Sequence, residues 1–257
     1  MLRDYQISIS DKATILLKEY GIAYLSMEVR CGKTLTSLKT AENYGAKNVL
    51  FFTKKKAKQS IIDDYNMLSP SFVLTVENYE QASKLQSDYD LIILDEAHCN
   101  SQFPIPAKRI THLKKICAGK PIIYLSGTPT PESHSQIFHQ LHISSFSPFA
   151  EYKNFYKWAN DYVILKKKYF FNRQINDYSC AKKEKIDEKI KHLFISYTQQ
   201  EAGFEMFVDE KILFVKMNDM TYNLADLLVK KRVYISARGN EILGDTEVKL
   251  KNKLHQI

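Results

Sequence analysis

Five short apolar runs in the first 130 residues alternate with polar stretches that have a helical period, and this alternation constrains the fold most. Runs that are apolar throughout indicate strands buried on both faces, as in a parallel sheet covered by helices. Strands are predicted at 22–26, 48–52, 72–75, 90–94 and 121–125, and helices near 33–44, 55–66, 78–86 and 106–117. The sequence therefore predicts an α/β domain, and such sheets place their ligands at the carboxyl ends of the strands.

Composition favours a packed protein with a polyanionic partner. Of the 257 residues, 44% are apolar, and the net charge of +8 points to nucleic acid first and to an anionic membrane second. No run approaches the roughly 18 apolar residues of a membrane span, and no signal peptide is recognisable. The four cysteines form no CxxC pair, which disfavours a disulfide framework or a zinc ribbon. We expect a cytoplasmic, intracellular protein (in the host cytoplasm if a phage encodes it) with no membrane partner.

Beyond residue 130 the pattern changes. Residues 133–163 are aromatic and helix-like, and the aromatic segment 146–162 favours core packing over stacking on bases. A lysine-rich helix is predicted near 181–192. A further strand is predicted at 211–217, and a further helix at 221–235.

The tripeptide Gly32-Lys33-Thr34 follows an apolar run and opens a helical stretch, which is the context of a phosphate-binding loop. Free N–H groups at the start of such a helix bind phosphates. Lys33 would reach the β and γ phosphates, and the Thr34 hydroxyl would ligate Mg²⁺. Met27 stands where such loops have their first glycine. A damaged site, a chance tripeptide and a working variant are therefore all open at this point.

Two further strand ends carry polar groups. In "LIILDEAH", an apolar run leads directly into Asp95 and Glu96. Asp95 could hold the Mg²⁺, which prefers oxygen ligands, and Glu96 could orient and deprotonate an attacking water. The alternative is an ordinary strand-to-helix turn with acidic capping. In "YLSGTPTPES", Ser126 and Thr128 are short hydroxyl residues able to hydrogen-bond the acidic loop.

Taken together, "LRDYQ", "MEVRCGKT", "LDEAH" and "LSGTP" resemble, in this order, the adenine, phosphate, acidic and coupling motifs of superfamily 2 DEAD/DEAH-box helicases. "FSPFAEYKNFYKWANDY" and "FISYTQQEAGF" resemble later segments of the Swi/Snf-like branch, particularly phage or bacterial members. The resemblance implies a RecA-like first motor lobe that uses ATP and Mg²⁺. Relatives tolerate a departure such as Met27, so a working phosphate loop is expected.

The resemblance also implies roles for individual residues. Catalysis would fall to Lys33, Asp95 and Glu96, and Mg²⁺ to Thr34 and Asp95. The remaining ATP-binding residues would be Gln6, Arg3, Arg30, Cys31, Gly32 and Leu35, with Gln6 reading the adenine edge. Coupling would involve His98, Ser126 and Thr128, and nucleic acid would contact Thr53, Lys54, Lys55, Asn78 and Tyr79.

The same resemblance sets the expected organisation and activity. The first lobe would span residues 1–215, with its motifs within 1–135 and a helical extension over about 133–205, and residues 216–257 would be a linker and the beginning of a truncated second lobe. Without the arginines of a second lobe, hydrolysis would be slow. We expect a DNA translocase or helicase that acts on double-stranded DNA. The alternatives are a nucleotide-gated binding module with little hydrolysis and the motor part of a restriction or defence nuclease.

Overall fold

The computed structural model describes residues 2–85, 88–170, 173–204, 216, 218–236, 241–244 and 247–255. The chain divides into two compact units, Met1–Glu205 and Met206–Ile257. The strand predicted at 211–217 lies outside the described residues except for residue 216.

The first unit is built on a six-stranded, fully parallel sheet with the strand order β3-β2-β4-β5-β1-β8. The five predicted strands are confirmed, and β8, which pairs with the outer side of β1, was not predicted. The sheet strands are β1 (Ile22–Met27), β2 (Asn48–Thr53), β3 (Val73–Asn78), β4 (Leu91–Leu94), β5 (Ile122–Leu125) and β8 (Phe194–Tyr197).

Helices cover this sheet, and α2 has the predicted bounds. The helices of the first unit are α1 (Asp4–Tyr20), α2 (Lys33–Tyr44), α3 (Lys58–Leu68), α4 (Arg109–Cys117), α5 (Ile137–Leu141), α6 (Phe155–Tyr162) and α7 (Lys183–Ile190). Shorter 3₁₀ turns include Lys55–Ala57, Tyr79–Lys84 and Ala97–Asn100. The sequence analysis did not predict α1, whose buried face mixes Ile9, Ala13 and Leu17 with the hydroxyls of Ser10 and Thr14.

Each central strand is buried on both faces, so the sheet separates two hydrophobic clusters. Along β1, for example, Tyr24 belongs to one cluster, whereas Ala23 and Leu25 belong to the other. Residues of α1, α2 and α3 join the cluster of Ala23, and residues of α4 to α7 join the cluster of Tyr24. The α/β fold with helices on both faces is confirmed.

The segment predicted as a helical extension contains more than helices. It includes an antiparallel hairpin of β6 (Lys166–Phe170) and β7 (Arg173–Asp177), and it ends in β8 of the main sheet. Five large aromatic side chains of this segment are almost completely buried, in keeping with the preference for packing over base stacking. These five side chains, which we call the aromatic layer, are Phe138, Phe149, Phe155, Trp158 and Tyr162.

The second unit contains α8 (Asp219–Lys231), the antiparallel pair β9 (Val233–Ile235) and β10 (Glu241–Leu243), and α9 (Glu247–Leu254). The helix predicted at 221–235 therefore ends at Lys231 and is followed by a strand. Within the described ranges of the whole chain, no helix has the length and hydropathy to cross a membrane.

Candidate nucleotide-binding site

The phosphate loop begins later than the sequence motif suggested, because Met27 is the last residue of β1. Its side chain is fully buried, and it pairs with Tyr197 of β8. Gly32, at the other end of the loop, has φ +74°, and a Cβ atom there would lie 2.0 Å from Nε2 of Gln6. Met27, which stands where such loops have their first glycine, thus belongs to the sheet and not to the loop. Any other residue at Gly32 would be strained.

Lys33 opens α2 and points back over the loop. Its Nζ donates hydrogen bonds of 3.0 Å to the carbonyl oxygens of both Met27 and Glu28. Burial lowers the pKa of Lys33, and the carboxylates of Glu96 and Asp95 partly oppose that shift. The ammonium is therefore near both acids, as the sequence predicted for residues at the carboxyl ends of parallel strands.

Asp95 is held by groups from the end of β2 and from the 3₁₀ turn that follows β3. The Thr53 hydroxyl donates a 2.7 Å hydrogen bond to Oδ2 of Asp95, and the backbone N–H of Asp95 donates to Phe52. The Tyr79 hydroxyl donates to the backbone carbonyl of Asp95 at 2.6 Å. Burial raises the pKa of Asp95, and the hydrogen bond from Thr53 opposes the increase. The end of β2 therefore fixes the orientation of this carboxylate.

Glu96 turns the chain sharply, with φ +49°, a conformation uncommon for residues other than glycine. Its carboxylate lies 3.3 Å from Nδ1 of His98 and 3.8 Å from Nζ of Lys54. Nδ1 of His98 is also 2.9 Å from Oγ of Ser126, which accepts the backbone N–H of Thr128 at 3.2 Å. The three predicted coupling residues thus connect Glu96 with the end of β5.

The amino-terminal motif packs on the phosphate loop. Gln6 is buried, its Oε1 accepts the backbone N–H of Arg3 at 2.8 Å, and its Nε2 lies 3.5 Å from the Gly32 carbonyl oxygen. The Arg3 guanidinium lies 4.9 Å from the centre of the Phe204 ring. Both groups of the Gln6 amide are thus engaged within the protein, and adenine reading by Gln6 stays a prediction.

Cys31 is fully buried within the loop, and its carbonyl accepts the Tyr5 hydroxyl at 3.3 Å. Burial raises the pKa of the thiol. Cys31 therefore fills space in the loop, and its raised pKa disfavours a reactive thiolate. Arg30 has φ +65°, and Thr34 and Leu35 are partly buried in the first turn of α2.

Two of the predicted nucleic-acid contacts are corrected by the structure. Thr53 and Tyr79 are both buried, and their hydroxyls bind Asp95, so neither side chain faces solvent. Lys54 and Lys55 are exposed where the chain leaves β2. Asn78 is partly exposed, and its side chain accepts the backbone N–H of Gln81 at the start of a 3₁₀ turn.

One set of contacts was missed by sequence reasoning. The backbone N–H of Gln199 donates to the Glu28 carboxylate at 2.7 Å, and its side-chain amide donates to the Val29 carbonyl at 2.9 Å. The backbone N–H of Glu28 also donates to Tyr197 at 2.9 Å. The segment after β8 therefore braces the phosphate loop across 171 positions of sequence, and no local pattern signals such a distant contact.

The donor set suits a magnesium–nucleotide complex. Mg²⁺ prefers hard oxygen ligands, and the Thr34 hydroxyl and the Asp95 carboxylate are of this kind. The backbone approaches closely around the loop, since a Cβ on Gly127 would lie 3.3 Å from the Met27 carbonyl oxygen. The chain's own residues therefore fit the cofactors that the resemblance implied.

The six-stranded parallel sheet with helices on both faces is an α/β arrangement of the RecA-like kind, with the lysine loop after β1 and the acid pair after β4 at its carboxyl edge. Among solved structures, the chain is similar to the Sulfolobus solfataricus SWI2/SNF2 ATPase core in complex with dsDNA. The TM-score is 0.60 at 12% identity, over 79% of this chain and 46% of that chain. At this identity, the similarity shows the fold.

Two further solved structures are similar to the chain. For the Pyrococcus furiosus Hef helicase domain, the TM-score is 0.45 at 16% identity, over 55% of this chain and 36% of that chain. For the Type ISP restriction-modification enzyme LlaBIII bound to DNA, the TM-score is 0.42 at 18% identity, over 76% of this chain and 15% of that chain. The chain spans less than half the length of all three structures. No family model matches the chain, and no curated protein matches it.

Proposed function

We propose that this chain is the ATP-binding motor lobe of a nucleic-acid-dependent ATPase that moves along double-stranded DNA. The observation that carries the proposal is that Lys33 after β1 and the acid pair Asp95 and Glu96 after β4 lie at the carboxyl edge of one parallel sheet. An ammonium and two carboxylates serve different parts of phosphoryl transfer, so their convergence supports hydrolysis as well as binding.

In the proposed mechanism, Lys33, which donates to the Met27 and Glu28 carbonyls, would instead bind the β and γ phosphates of ATP. Thr34 and Asp95 would hold Mg²⁺, which supplies positive charge to the phosphates. Glu96 would orient a water molecule and accept its proton. His98 contacts both Glu96 and Ser126, so a movement of the chain at the end of β5 would shift the proposed base Glu96.

Duplex DNA is the proposed track for three reasons. The chain carries a net charge of +8. Lys54 and Lys55 are exposed beside the acid pair, and Lys54 lies 3.8 Å from Glu96. The SWI2/SNF2 core with the similar fold is described in complex with dsDNA. A phosphate bound by Lys54 would compete with Glu96 for the ammonium, so the proposed track would run next to the proposed base.

Glu96→Gln tests the proposed hydrolysis. We expect ATP affinity to stay within about twofold and hydrolysis to fall about 10²–10⁴-fold, since the amide keeps the shape and loses the basicity. Binding and phosphate release are measured separately, and Glu80→Gln, an exposed acid outside the site, is the control. Unchanged hydrolysis in Glu96→Gln would remove the assignment of the base.

Replacing both Lys54 and Lys55 with Ala tests the DNA contact. We expect weaker binding of duplexes of any sequence, and a salt dependence whose slope is about two units shallower, because each phosphate contact releases counterions. Replacing Lys12 and Lys18 of α1 with Ala removes the same charge from an exposed helix elsewhere. Equal effects of the two double variants would indicate that only net charge matters.

The effect of nucleic acid on hydrolysis separates the proposal from its alternatives. We expect slow basal turnover that duplex DNA stimulates. Stimulation by single strands alone would favour a helicase. Nucleotide binding without stimulated turnover would favour the nucleotide-gated binding module.

A further inference from the structure

A second cleft, of about 290 Å³, lies apart from the motor motifs. It opens between the segment that follows the acid pair and the segment that follows β5, and none of the proposed ATP-site residues lines it. Its walls are largely apolar and include Ile110 of α4, Phe138 of α5, and Phe155 and Tyr156 of α6. The volume is just below the roughly 300–1,000 Å³ typical of small-molecule sites, which suits a small ligand.

Basic groups converge on this apolar cleft, and none of the described residues that line it is an acid. Lys114 is partly buried, and its Nζ lies 2.6 Å from Nδ1 of His142. Lys153 also lines the cleft and is exposed at its rim. In the part of the chain that the structure describes, no carboxylate pairs with Lys114. Partly burying a charge without a counter-charge is costly, so this arrangement would gain from an anion.

The contact between His142 and Lys114 does not neutralise the charge of the lysine. An ammonium can only donate, so Nδ1 of His142 must accept from it, and the ring is the neutral form with its proton on Nε2. Burial and the neighbouring Lys114 lower the pKa of His142 to about 4, and burial lowers the pKa of Lys114. His142 therefore supplies no counter-charge to Lys114.

We propose that this cleft binds a small organic anion, namely a carboxylate or phosphate ester attached to an aromatic ring. The anionic group would accept a hydrogen bond from Lys114 and be attracted by its positive charge. Lys153 would add a second positive charge at the rim of the cleft. The ring would pack against the edge-to-face pair that Phe138 and Phe155 form, with centroids 5.8 Å apart, in the wall of the cleft. This ligand site goes beyond the proposed motor function and does not depend on it.

The chain carries its own reporter for this site. Trp158 is its single tryptophan, and its ring lies 5.2 Å from that of Phe138 and 5.5 Å from that of Phe155. A ring entering the cleft would disturb the environment of Trp158 through these two neighbours. Tryptophan fluorescence of the 257-residue chain therefore follows binding directly.

The experiment titrates the chain with phenyl phosphate, benzoate and the neutral benzyl alcohol. We expect a saturable change with phenyl phosphate or benzoate at about millimolar concentration, as suits such small ligands, and at least tenfold weaker binding of benzyl alcohol. A response to phenyl phosphate alone would identify a phosphate ester, and a response to both anions would identify anionic charge as the requirement. Equal binding of benzyl alcohol, or no response to either anion, would overturn the proposal.

Variants locate the site. Lys114→Met keeps the length of the side chain and should weaken anion binding at least tenfold, whereas Lys115→Met, at the exposed neighbouring position, should not. Thr111→Phe, at an exposed lining position, should block the cleft even if Lys114→Met folds poorly. Lys33→Ala should leave the response to phenyl phosphate unchanged. Loss of the response in Lys33→Ala, with Lys114→Met unaffected, would assign the phosphate to the motor site and overturn the proposal.

Discussion

The carboxyl edge of the sheet and the aromatic layer are organised by different forces. At the edge, polar side chains are held by individual hydrogen bonds, such as those from Thr53 and Tyr79 to Asp95 at 2.7 and 2.6 Å. In the aromatic layer, Trp158 packs against Phe138, Phe155 and other rings and is fully buried. Directional bonds set the positions of reacting groups, whereas close packing supplies stability. Substitutions in the two regions should therefore change different measured quantities.

The largest effect on stability is expected from Trp158→Ala. Removing this fully buried ring leaves a cavity and should lower the free energy of unfolding by about 3–5 kcal/mol. Denaturant unfolding measures the loss, and Lys157→Ala, exposed on the same helix, is the control. ATP affinity of the folded protein should stay unchanged. A selective loss of ATP affinity in a stably folded Trp158→Ala variant would contradict the separation of the two regions.

Lys33→Ala should show the opposite pattern. We expect about 100-fold weaker ATP binding, because charged hydrogen bonds to the phosphates are lost, and a change in unfolding free energy below about 1 kcal/mol. The change in stability is small because two contributions offset each other. The substitution removes two favourable hydrogen bonds to carbonyls, and it also removes the unfavourable burial of the ammonium. Calorimetric titration with ATP and denaturant unfolding measure the two quantities, with Lys39→Ala on the same helix as control. A large loss of stability would show that the loop needs this lysine to fold.

Thr53→Val should lower both the free energy of unfolding and the ATP affinity, each by a smaller amount. Thr53 is buried in the sheet, and its hydroxyl also orients Asp95. Loss of its hydroxyl removes one hydrogen-bond donor from the largely buried carboxylate of Asp95 and should cost about 1–2 kcal/mol of unfolding free energy. ATP affinity in the presence of Mg²⁺ should also fall. Thr75→Val on the neighbouring strand β3 controls for the change in shape. An effect on stability alone would limit Thr53 to a role in packing.

The smallest effect concerns acid stability beside the aromatic layer, where His142 stacks on Phe138 at 4.6 Å. The pKa of His142 falls from 6.5 to about 4 on folding, so between these values the unfolded chain binds the proton more strongly. This contribution to stability is present above pH 6.5 and is lost as the pH falls towards 4. Because the ring is partly exposed, we expect about 1 kcal/mol.

Thermal unfolding between pH 7 and 4 measures this contribution. His142→Gln should lose less stability on acidification than the unsubstituted chain does. Lys114 and His139 are the other basic groups near this ring, and both disfavour its protonation. An identical pH dependence in His142→Gln would show that other groups cause the acid sensitivity.

Sequence reasoning predicted what depends on local pattern. Continuous apolar runs marked the five central strands, and polar residues directly after β1 and β4 predicted that Lys33, Asp95 and Glu96 would meet. It did not predict β8, because this strand has only four residues and they are not fully buried. Its partner β1 also lies more than 160 residues earlier in the chain.

The orientation of motif side chains was also beyond the sequence. Thr53 was expected to contact nucleic acid, yet the alignment of β2 with β4, in which Phe52 lies beside Leu94, places the next residue of each strand together. Thr53 consequently faces Asp95. The same limit applies to Tyr79, since a motif identifies the residue type and its place in the chain, whereas the packing of neighbouring elements decides which way a side chain points.

The brace from Gln199 to the phosphate loop determines how short a working fragment can be. A fragment ending near residue 135 would keep every recognised motif of the ATP site. It would lack β8 beside Met27 and both hydrogen bonds from Gln199, so the loop would lose its support on one side. The motifs therefore delimit less of the chain than the proposed nucleotide site requires, since the support of its loop extends to Gln199.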